Sequence, residues 1–188
     1  YQKRGRGTEI LAGKNQGETV DIVGPLGNTF ALPALKQKCI VVAGGIGLGP
    51  MLYLASTLVA HGNAVLFIFG CRSKEFVPNT GAFERTEPVI CTDDGTEGFA
   101  GTVIDYLHTV DMEAGSSRLF ACGPTSMLRA CHEFALGREV PCQVAMEQVM
   151  ACGVGACMGC VIRVRSGSGF ARVCTEGPVF DTREIVWT

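Results

Sequence analysis

The sequence predicts an α/β fold in which a five-stranded parallel sheet forms a nucleotide-binding domain. Two observations predict it: five short apolar runs alternate with segments of helical periodicity, and glycine-rich loops follow two of these runs. Continuous apolar runs rich in β-branched residues are typical of parallel strands that are covered on both faces. A turn-rich segment precedes the sheet and a cysteine-rich segment follows it, so we expect three parts, over residues 1–36, 37–146 and 147–188.

The first part, residues 1–36, has the pattern of the end of a β-rich domain. TVDIV at 19–23 is strand-like, and the turn-rich GPLGN follows it at 24–28. The chain opens on YQKRGRGTEIL rather than on methionine. We therefore expect the opening to lie inside a longer or processed sequence.

Five strands and three helices are expected in the second part. The strands are CIVVA at 39–43, AVLFIFG at 64–70, PVIC at 88–91, RLFAC at 118–122 and CQVAM at 142–146. Two helices are predicted because apolar residues recur every three or four positions. These residues are Met51, Leu52, Ala55, Leu58 and Val59 in one helix, and Met127, Leu128, Cys131, Phe134 and Ala135 in the other. A shorter helix is expected around 103–107, with Thr102 as its N-cap.

The first glycine-rich loop, AGGIGLGPM at 43–51, follows the first strand and opens a helix. Gly45, Gly47 and Gly49 allow close approach to the backbone, and the helix N-terminus offers unpaired N–H groups to a diphosphate. The dinucleotide fingerprint GxGxxG carries Pro50 at its last position here, which suits the first turn of a helix. The loop predicts a phosphate-binding turn, with a tight turn that binds no ligand as the alternative.

The second glycine-containing loop, ACGPTSM at 121–127, stands at the end of the fourth predicted strand. Ligands of open α/β sheets bind at the carboxyl ends of strands, so both loops are expected to border one crevice. Cys122, Gly123 and Pro124 are then neighbours of a cofactor. A buried structural cysteine is the alternative for Cys122.

Four cysteines near the end of the chain stand in the pattern C-x4-C-x2-C-x13-C: Cys152, Cys157, Cys160 and Cys174. The first three have the spacing typical of plant-type [2Fe–2S] ligation, and the glycines between them let the loop curl. Structural zinc is the main alternative, although it usually uses two short Cys pairs. A thioredoxin-type pair leaves two of the four without a role. A disulfide framework is typical of small secreted domains, whereas this sequence is too large and apolar to depend on disulfides, so we do not expect them here.

The composition argues against two classes of partner. The chain has 188 residues, a net charge of −2 and a pI near 5.9, so no basic field attracts nucleic acid or an anionic membrane. No apolar run reaches the ~18 to 20 residues that span a bilayer. We expect a cytoplasmic protein that binds neither nucleic acid nor a membrane.

Several of these motifs together carry a family resemblance. The GxGxxP loop at 45–50 and the CGPxxM loop at 122–127 resemble the nicotinamide-binding domain of the ferredoxin-NADP reductase superfamily. The runs MEQVMACGVGACMGCVIRV at 146–164 and RVCTEGPVFD at 172–181 narrow the match. With them, essentially the whole chain closely resembles the electron transfer subunits of type B dihydroorotate dehydrogenases.

The resemblance implies cofactors and the residues that bind them. It implies a [2Fe–2S] cluster on the four cysteines, NAD at the loops that start at Gly45 and Cys122, and FAD near Gly7 and Thr8. It also places Tyr1 and Gln2 beside the contacts that the family makes to the flavin ring. That this chain binds FAD is therefore an implication of the family alone.

Residues 1–36 correspond, on the same resemblance, to the remnant of a flavin-binding β-barrel. Family members carry an Arg-x-x-Ser type FAD motif in that barrel, and no such stretch precedes Tyr1 in this sequence. Thirty-six residues are too few for about six strands of ~5 to 6 residues with their turns. Either the sequence is partial or flavin binding is lost.

The resemblance implies a function in pyrimidine biosynthesis. Electrons pass from the reduced FMN of a dihydroorotate-oxidising catalytic subunit through the cluster and FAD to NAD+, in an assembly of two copies of each subunit. Nicotinamide exchanges an electron pair as hydride and a cluster passes single electrons, so the protein orients cofactors and no catalytic side chain is assigned. Two alternatives stay open: the NAD(P)H-dependent reductase component of an oxygenase, and a zinc-stabilised nucleotide-binding regulator without enzymatic activity.

Overall fold

A computed structural model of the chain describes residues 3–34, 36–78 and 86–187. Its strands are β1 (Lys38–Gly44), β2 (Ala64–Cys71), β3 (Val89–Thr92), β4 (Phe99–Ala100), β5 (Ser117–Cys122), β6 (Cys142–Ala145), β7 (Val161–Arg163), β8 (Phe170–Arg172) and β9 (Val179–Asp181). Its α-helices are α1 (Arg6–Ala12), α2 (Leu48–Ala60), α3 (Val103–Leu107) and α4 (Thr125–Gly137). Short 3-10 helices cover Gly45–Gly47 and Lys74–Phe76.

The main sheet has the strand order β4-β3-β2-β1-β5-β6-β9. The five predicted strands are β1, β2, β3, β5 and β6, and they pair in parallel as predicted. The predicted number of five is too small, because two short strands lie at the edges. β4 pairs in parallel with β3, and β9 pairs antiparallel with β6. The α/β prediction is confirmed, and within the described residues the sheet has seven strands in place of five.

Helices cover both faces of this sheet, as continuous apolar strands require. On one face Met51, Leu54 and Leu58 of α2 pack against Val41 and Phe69. On the other face α3 and α4 pack against the alternate residues of the same strands, such as Ile40 and Ile68. All three predicted helices are present.

The predicted cap of α3 is also observed. The Thr102 hydroxyl oxygen accepts from the Asp105 N–H at 3.2 Å, and the Asp105 carboxylate accepts from the Thr102 N–H at 2.8 Å. This reciprocal capping box satisfies N–H groups that a helix start leaves free. It fixes where the helix begins after β4.

The segment before the sheet differs from the prediction. The strand predicted over 19–23 is wrong: residues 3–34 contain α1 and no strand, and Ile22 is 85% exposed. A strand needs a neighbour to pair with, and TVDIV has none within the described part of the chain. Further along, Phe30 packs edge-to-face on Phe120, with ring centroids 5.7 Å apart, which attaches this segment to the sheet.

Asn28 provides the second attachment of this segment. Its side-chain amide donates to the carbonyl oxygens of Glu176 and Val179 at 2.8 and 2.9 Å. Its side-chain oxygen accepts from the Val179 N–H at 2.9 Å. The segment is thus bonded to the turn that leads into β9.

The cysteine-rich segment is built onto the sheet through β9. Ala145, Val144 and Gln143 of β6 pair with Val179, Phe180 and Asp181 of β9. Strands β7 and β8 form a separate antiparallel hairpin that carries the cysteine loop at its start. The described part of the chain contains no helix of the length and apolar character needed to cross a membrane.

Candidate metal centre and nucleotide crevice

The loop over residues 152–160 turns sharply through several left-handed positions. Gly153 and Gly155 have φ of +72° and +77°, and Met158 has φ of +57°. Glycine adopts this region without a Cβ penalty, whereas it is uncommon for methionine. The chain accepts this conformation between β6 and β7, where it brings the loop cysteines towards Cys174.

The four cysteines are arranged as two pairs. The Cys157 N–H points at the Cys152 Sγ, 3.5 Å away, and their side chains interact. The side chains of Cys160 and Cys174 also interact, and the Val173 N–H donates to the Cys160 carbonyl at 3.0 Å. A [2Fe–2S] cluster takes four thiolates on two irons, so two pairs suit it. In the described ranges, no three or more His, Cys, Asp or Glu side chains gather as a site for one ion.

Backbone N–H groups favour the thiolate form of one cysteine in each pair, Cys152 and Cys160. The N–H groups of Cys157 and Val154 lower the pKa of Cys152 to about 6. The Cys174 N–H lowers the pKa of Cys160, while desolvation and the neighbouring Cys160 raise the pKa of Cys174. The thiolate is the form that ligates metal, and N–H donors to sulfur stabilise it. The donor set therefore fits an iron–sulfur cluster.

The cysteines outside this loop have the opposite electrostatics. Burial raises the pKa of Cys39 and Cys91 to about 11 and that of Cys131 to about 12. These thiols stay protonated and pack in the core, as expected for small apolar side chains.

Arg172 and Glu176 are site residues that the sequence analysis missed. The Arg172 guanidinium donates from Nη1 to the Gly155 carbonyl at 3.0 Å and from Nε to the Glu176 carboxylate at 3.0 Å. The Arg172 bonds hold the pKa of Glu176 down, at about 2. The signal in the sequence was an Arg two residues before Cys174 and a Glu two residues after it. Nothing local in the sequence predicts the bond to Gly155.

The two glycine loops meet at one edge of the sheet, as predicted. Strands β1 and β5 are parallel neighbours, with Ala43 opposite Cys122. A Cβ on Gly47 would lie 2.2 Å from the Cys122 carbonyl oxygen, and one on Gly123 would lie 3.0 Å from the Gly44 Cα. Glycine is therefore required at 47 and 123 because the loops touch each other.

Other glycines of the first loop face open space. Gly45, with φ of +52°, and Gly49 have no heavy atom within 4 Å of an added Cβ, and both are exposed. Pro50 lies in the first turn of α2, where a missing N–H is tolerated. This face of the loop is accessible to a ligand at the start of α2.

The second loop lies beside the first at the same edge of the sheet. Pro124 directly precedes α4, and Cys122 is partly exposed beside it. Burial, and secondarily the charge of Glu147, raises the pKa of Cys122 to about 11, so it stays a neutral thiol. The structure thus brings Gly45, Gly47, Gly49, Pro50, Cys122, Gly123 and Pro124 together; that they bind NAD stays a prediction.

In the sequence, the residues expected near FAD lie far from the residues of this crevice. Gly7 and Thr8 belong to α1. The Thr8 hydroxyl donates to the Gly5 carbonyl at 2.9 Å and accepts from the Arg4 N–H at 2.9 Å. It therefore stabilises the helix start, and its role towards a flavin stays a prediction. Tyr1 and Gln2 lie outside the described residues.

Comparisons with known proteins agree with this arrangement. Residues 147–186 match the family model of the iron–sulfur cluster binding domain of dihydroorotate dehydrogenase B. A solved NADH-dependent reduced ferredoxin-NADP oxidoreductase, studied for flavin-based electron bifurcation, is similar to the chain with a TM-score of 0.85 and 28% identity. That match covers all of this chain and 67% of the other. A flavohemoglobin from Malassezia yamatoensis, at a TM-score of 0.61 and 22% identity, shares the fold over 74% of this chain and 39% of its own.

Curated relatives extend the match over nearly the whole chain. The dihydroorotate dehydrogenase B (NAD(+)), electron transfer subunit of Geobacillus sp. (strain WCH70) is 40% identical over 190 residues, which are 99% of this chain and 72% of the relative. The subunit of the same name from Desulforamulus reducens is 36% identical, over 97% of this chain and 71% of its own. The chain therefore belongs to the family of electron transfer subunits of dihydroorotate dehydrogenase B.

Proposed function

We propose that this chain carries electrons to NAD+ from a catalytic subunit that oxidises dihydroorotate. The proposed ligands of its [2Fe–2S] cluster are Cys152, Cys157, Cys160 and Cys174. The single observation that carries the proposal is the pairing of the four sulfurs on a segment that also forms an edge of the nucleotide-binding sheet. A bound cluster supplies one-electron transfer, and nicotinamide supplies exchange of an electron pair as hydride. FAD, which the family uses, links these two modes.

The residues of this chain then bind and orient these cofactors. Loop N–H groups stabilise the thiolates, and the buried sulfurs of Cys160 and Cys174 exclude water from one side of the site. At the crevice the open face of Gly45 and Gly49 receives the diphosphate of NAD at the start of α2. Gly7 and Thr8, with Tyr1 and Gln2, are proposed as parts of the FAD site.

The surface beside the cysteine loop supports contact with a catalytic partner. Val149, Val154 and Met158 are 82%, 61% and 53% exposed, and Cys157 is exposed among them. All four residues lie between positions 149 and 158, and exposed apolar surface is typical of interaction sites. We propose that the partner's FMN approaches the cluster here, in a cytoplasmic assembly of two copies of each subunit. Nothing in the net charge of −2 favours a nucleic acid as a further partner.

The three-part division belongs to the same proposal. Residues 1–36 are assigned to the end of an FAD-binding unit, 37–146 to the NAD-binding domain and 147–188 to the cluster domain. Two features support the last boundary: the family model begins at residue 147, and β6 ends at Ala145.

Anaerobic purification with metal analysis tests the cluster. We expect about two irons and two sulfides per chain, visible absorption, and an S = 1/2 electron paramagnetic resonance signal after reduction. Cys157→Ser should remove most of this absorption, and Cys71→Ser, at a partly buried cysteine outside the loop, should not. Stoichiometric zinc without iron or sulfide would instead establish the zinc-stabilised alternative.

Co-expression with a dihydroorotate-oxidising subunit tests the partner. We expect a stable complex that reduces NAD+ with dihydroorotate and loses this activity with Cys157→Ser. A chain that holds its cluster and oxidises NADH but never associates with that subunit would favour the oxygenase reductase. Titration with NADH, followed by its fluorescence, tests the crevice separately from both.

A further inference from the structure

The contacts that join the cysteine loop to the turn around Cys174 converge on Arg172. Its Nη1 donates to the Gly155 carbonyl at 3.0 Å, across 17 residues of sequence. Its Nε and its backbone N–H donate to the Glu176 carboxylate at 3.0 and 2.7 Å. One side chain therefore connects the stretch between the first two cysteines with the stretch that follows β8.

The surroundings of Gly155 show that this connection is close. A Cβ on Gly155 would lie 2.9 Å from the Thr175 Cγ2 and 3.0 Å from the Arg172 Nη1. The backbone carbonyl of Arg172 accepts from the N–H groups of Thr175, Glu176 and Gly177 at 3.2, 3.0 and 3.1 Å. The turn that holds Cys174 is thus built around Arg172 at both its backbone and its side chain.

The Arg172–Glu176 pair differs from an ordinary surface ion pair. The two side chains are 34% and 43% exposed, and an exposed pair by itself adds little stability. Here the carboxylate binds the guanidinium at two oxygens while a third guanidinium nitrogen binds a backbone carbonyl. Only the planar fork of arginine satisfies these directions at once, because a lysine ammonium is a point donor. The pair matters because it connects the loop at Gly155 to the turn that contains Glu176.

We propose that Arg172 is a positioning residue for the cluster: it fixes the cysteine loop against the Cys174 turn, and Glu176 offsets its charge beside the cluster. The inference rests on the proposed function, because it needs the four cysteines to be the ligands. A cluster requires its thiolates at fixed separations, and the Arg172 bond joins the loop of one sulfur pair to the turn of the other. Contacts of this kind around metal ligands are typically needed for full metal affinity.

The charges give a second, independent consequence. Reduction adds one negative charge to a cluster, so a nearby cation raises its midpoint potential and a nearby carboxylate lowers it. Arg172→Gln should therefore lower the midpoint potential, and Glu176→Gln should raise it. The double variant should return close to the wild-type potential while it still lacks the bond to Gly155.

The experiment uses the full chain, reconstituted anaerobically with iron and sulfide. Cluster loss to a chelator is followed by visible absorption, and the midpoint potential is measured by redox titration followed by paramagnetic resonance. Arg172→Gln, Arg172→Lys and the double variant should lose the cluster about 10-fold faster than wild type. Arg172→Lys keeps the charge, so its potential should stay close to that of wild type.

Arg129→Gln is the matched control. Arg129 pairs with Glu133 at 3.0 Å, also four residues apart, on the exposed surface of α4 and outside the cysteine segment. Removal of this arginine takes away the same charge without touching the loop, so both readouts should equal those of wild type.

The outcomes separate the two claims from the proposed function. Wild-type cluster retention in both Arg172→Gln and Arg172→Lys would overturn the positioning role. Potentials that move in the same direction in Arg172→Gln and Glu176→Gln would overturn the charge argument. If Arg172→Gln does not fold by circular dichroism, Arg172→Lys and Glu176→Gln carry the test. Absence of a cluster from the wild-type chain would refute the proposed function instead.

Discussion

Gly47 is the position where the two nucleotide loops approach each other most closely, and alanine there is expected to destabilise the protein. An added Cβ would lie 2.2 Å from the Cys122 carbonyl oxygen and 2.5 Å from its carbon. The Gly47 backbone, with φ of −62° and ψ of −8°, is open to any residue, so Gly47→Ala adds a clash without backbone strain. To restore a 3.0 Å separation the carbonyl must retreat by ~0.8 Å.

The cost of that retreat is expected to be large because the obstacle is backbone rather than a flexible side chain. Overpacking costs about 1 to 3 kcal/mol, and we expect about 3 kcal/mol of lost unfolding free energy here. For a chain of this size each kcal/mol lowers the melting temperature by roughly 2 to 4 °C, so the expected shift is roughly 6 to 12 °C. Urea unfolding followed by circular dichroism and by the single tryptophan, Trp187, measures it.

Gly49→Ala is the control in the same loop. Its Cβ would meet no atom within 4 Å, and α2 accepts alanine, so its stability should be unchanged or higher by up to ~1 kcal/mol. A Gly47→Ala protein as stable as Gly49→Ala would refute the close contact of the two loops. In folded Gly47→Ala the affinity for NADH should also fall by about 10-fold or more, since a shift near 1 Å misplaces binding groups.

Three further predictions test the core, the attachment of the first segment and one histidine. Phe120→Ala, at a fully buried ring, should cost about 3 to 5 kcal/mol in urea unfolding, and a loss below about 1 kcal/mol would contradict the packing. Asn28→Ala removes three hydrogen bonds and leaves the Val179 N–H without its partner, so we expect a loss of about 2 kcal/mol and faster amide exchange at Val179, and unchanged exchange would argue against this attachment. Burial lowers the pKa of His132, so the unfolded chain binds more protons below about pH 6.5 and stability should fall as the pH drops through that range. His132→Gln should reduce this loss when unfolding is compared at about pH 7.5 and about pH 5.5, and an equal loss in both proteins would contradict it.

The strands and helices could be predicted where burial gives the sequence a local pattern of apolar residues. Strand β1 is covered on both faces, so its apolar run is continuous, and α2 repeats its apolar residues every three or four positions. Strand β9 has three residues and forms only because β6 offers an unpaired edge, which no local pattern records. The strand expected at TVDIV, 19–23, is absent for the converse reason: its residues are strand-like, but the described residues offer it no partner strand.

The site divides in the same way. The cysteine spacing and the glycine loops are local, so the sequence could predict them and the edge of the sheet where the loops meet. The bond from Arg172 to Gly155 depends on the β7–β8 hairpin, which folds residue 172 back over the cysteine loop. Likewise, the need for glycine at 47 arises from the Cys122 carbonyl, 75 residues further along the chain. Long-range contacts of this kind have no signature in a single sequence.

Strand β9 has a consequence for how electrons travel. Because the cysteine segment shares backbone hydrogen bonds with the nucleotide sheet, its position relative to the sheet is fixed, and it does not move as a domain on a flexible linker. The hydrogen bonds of the sheet then set the distance between the cysteine loop and the crevice, and no domain motion is needed to bring the two together. Electron transfer within this chain should accordingly proceed at a rate that solvent viscosity does not change, unlike transfer by a carrier that must swing between two docking positions.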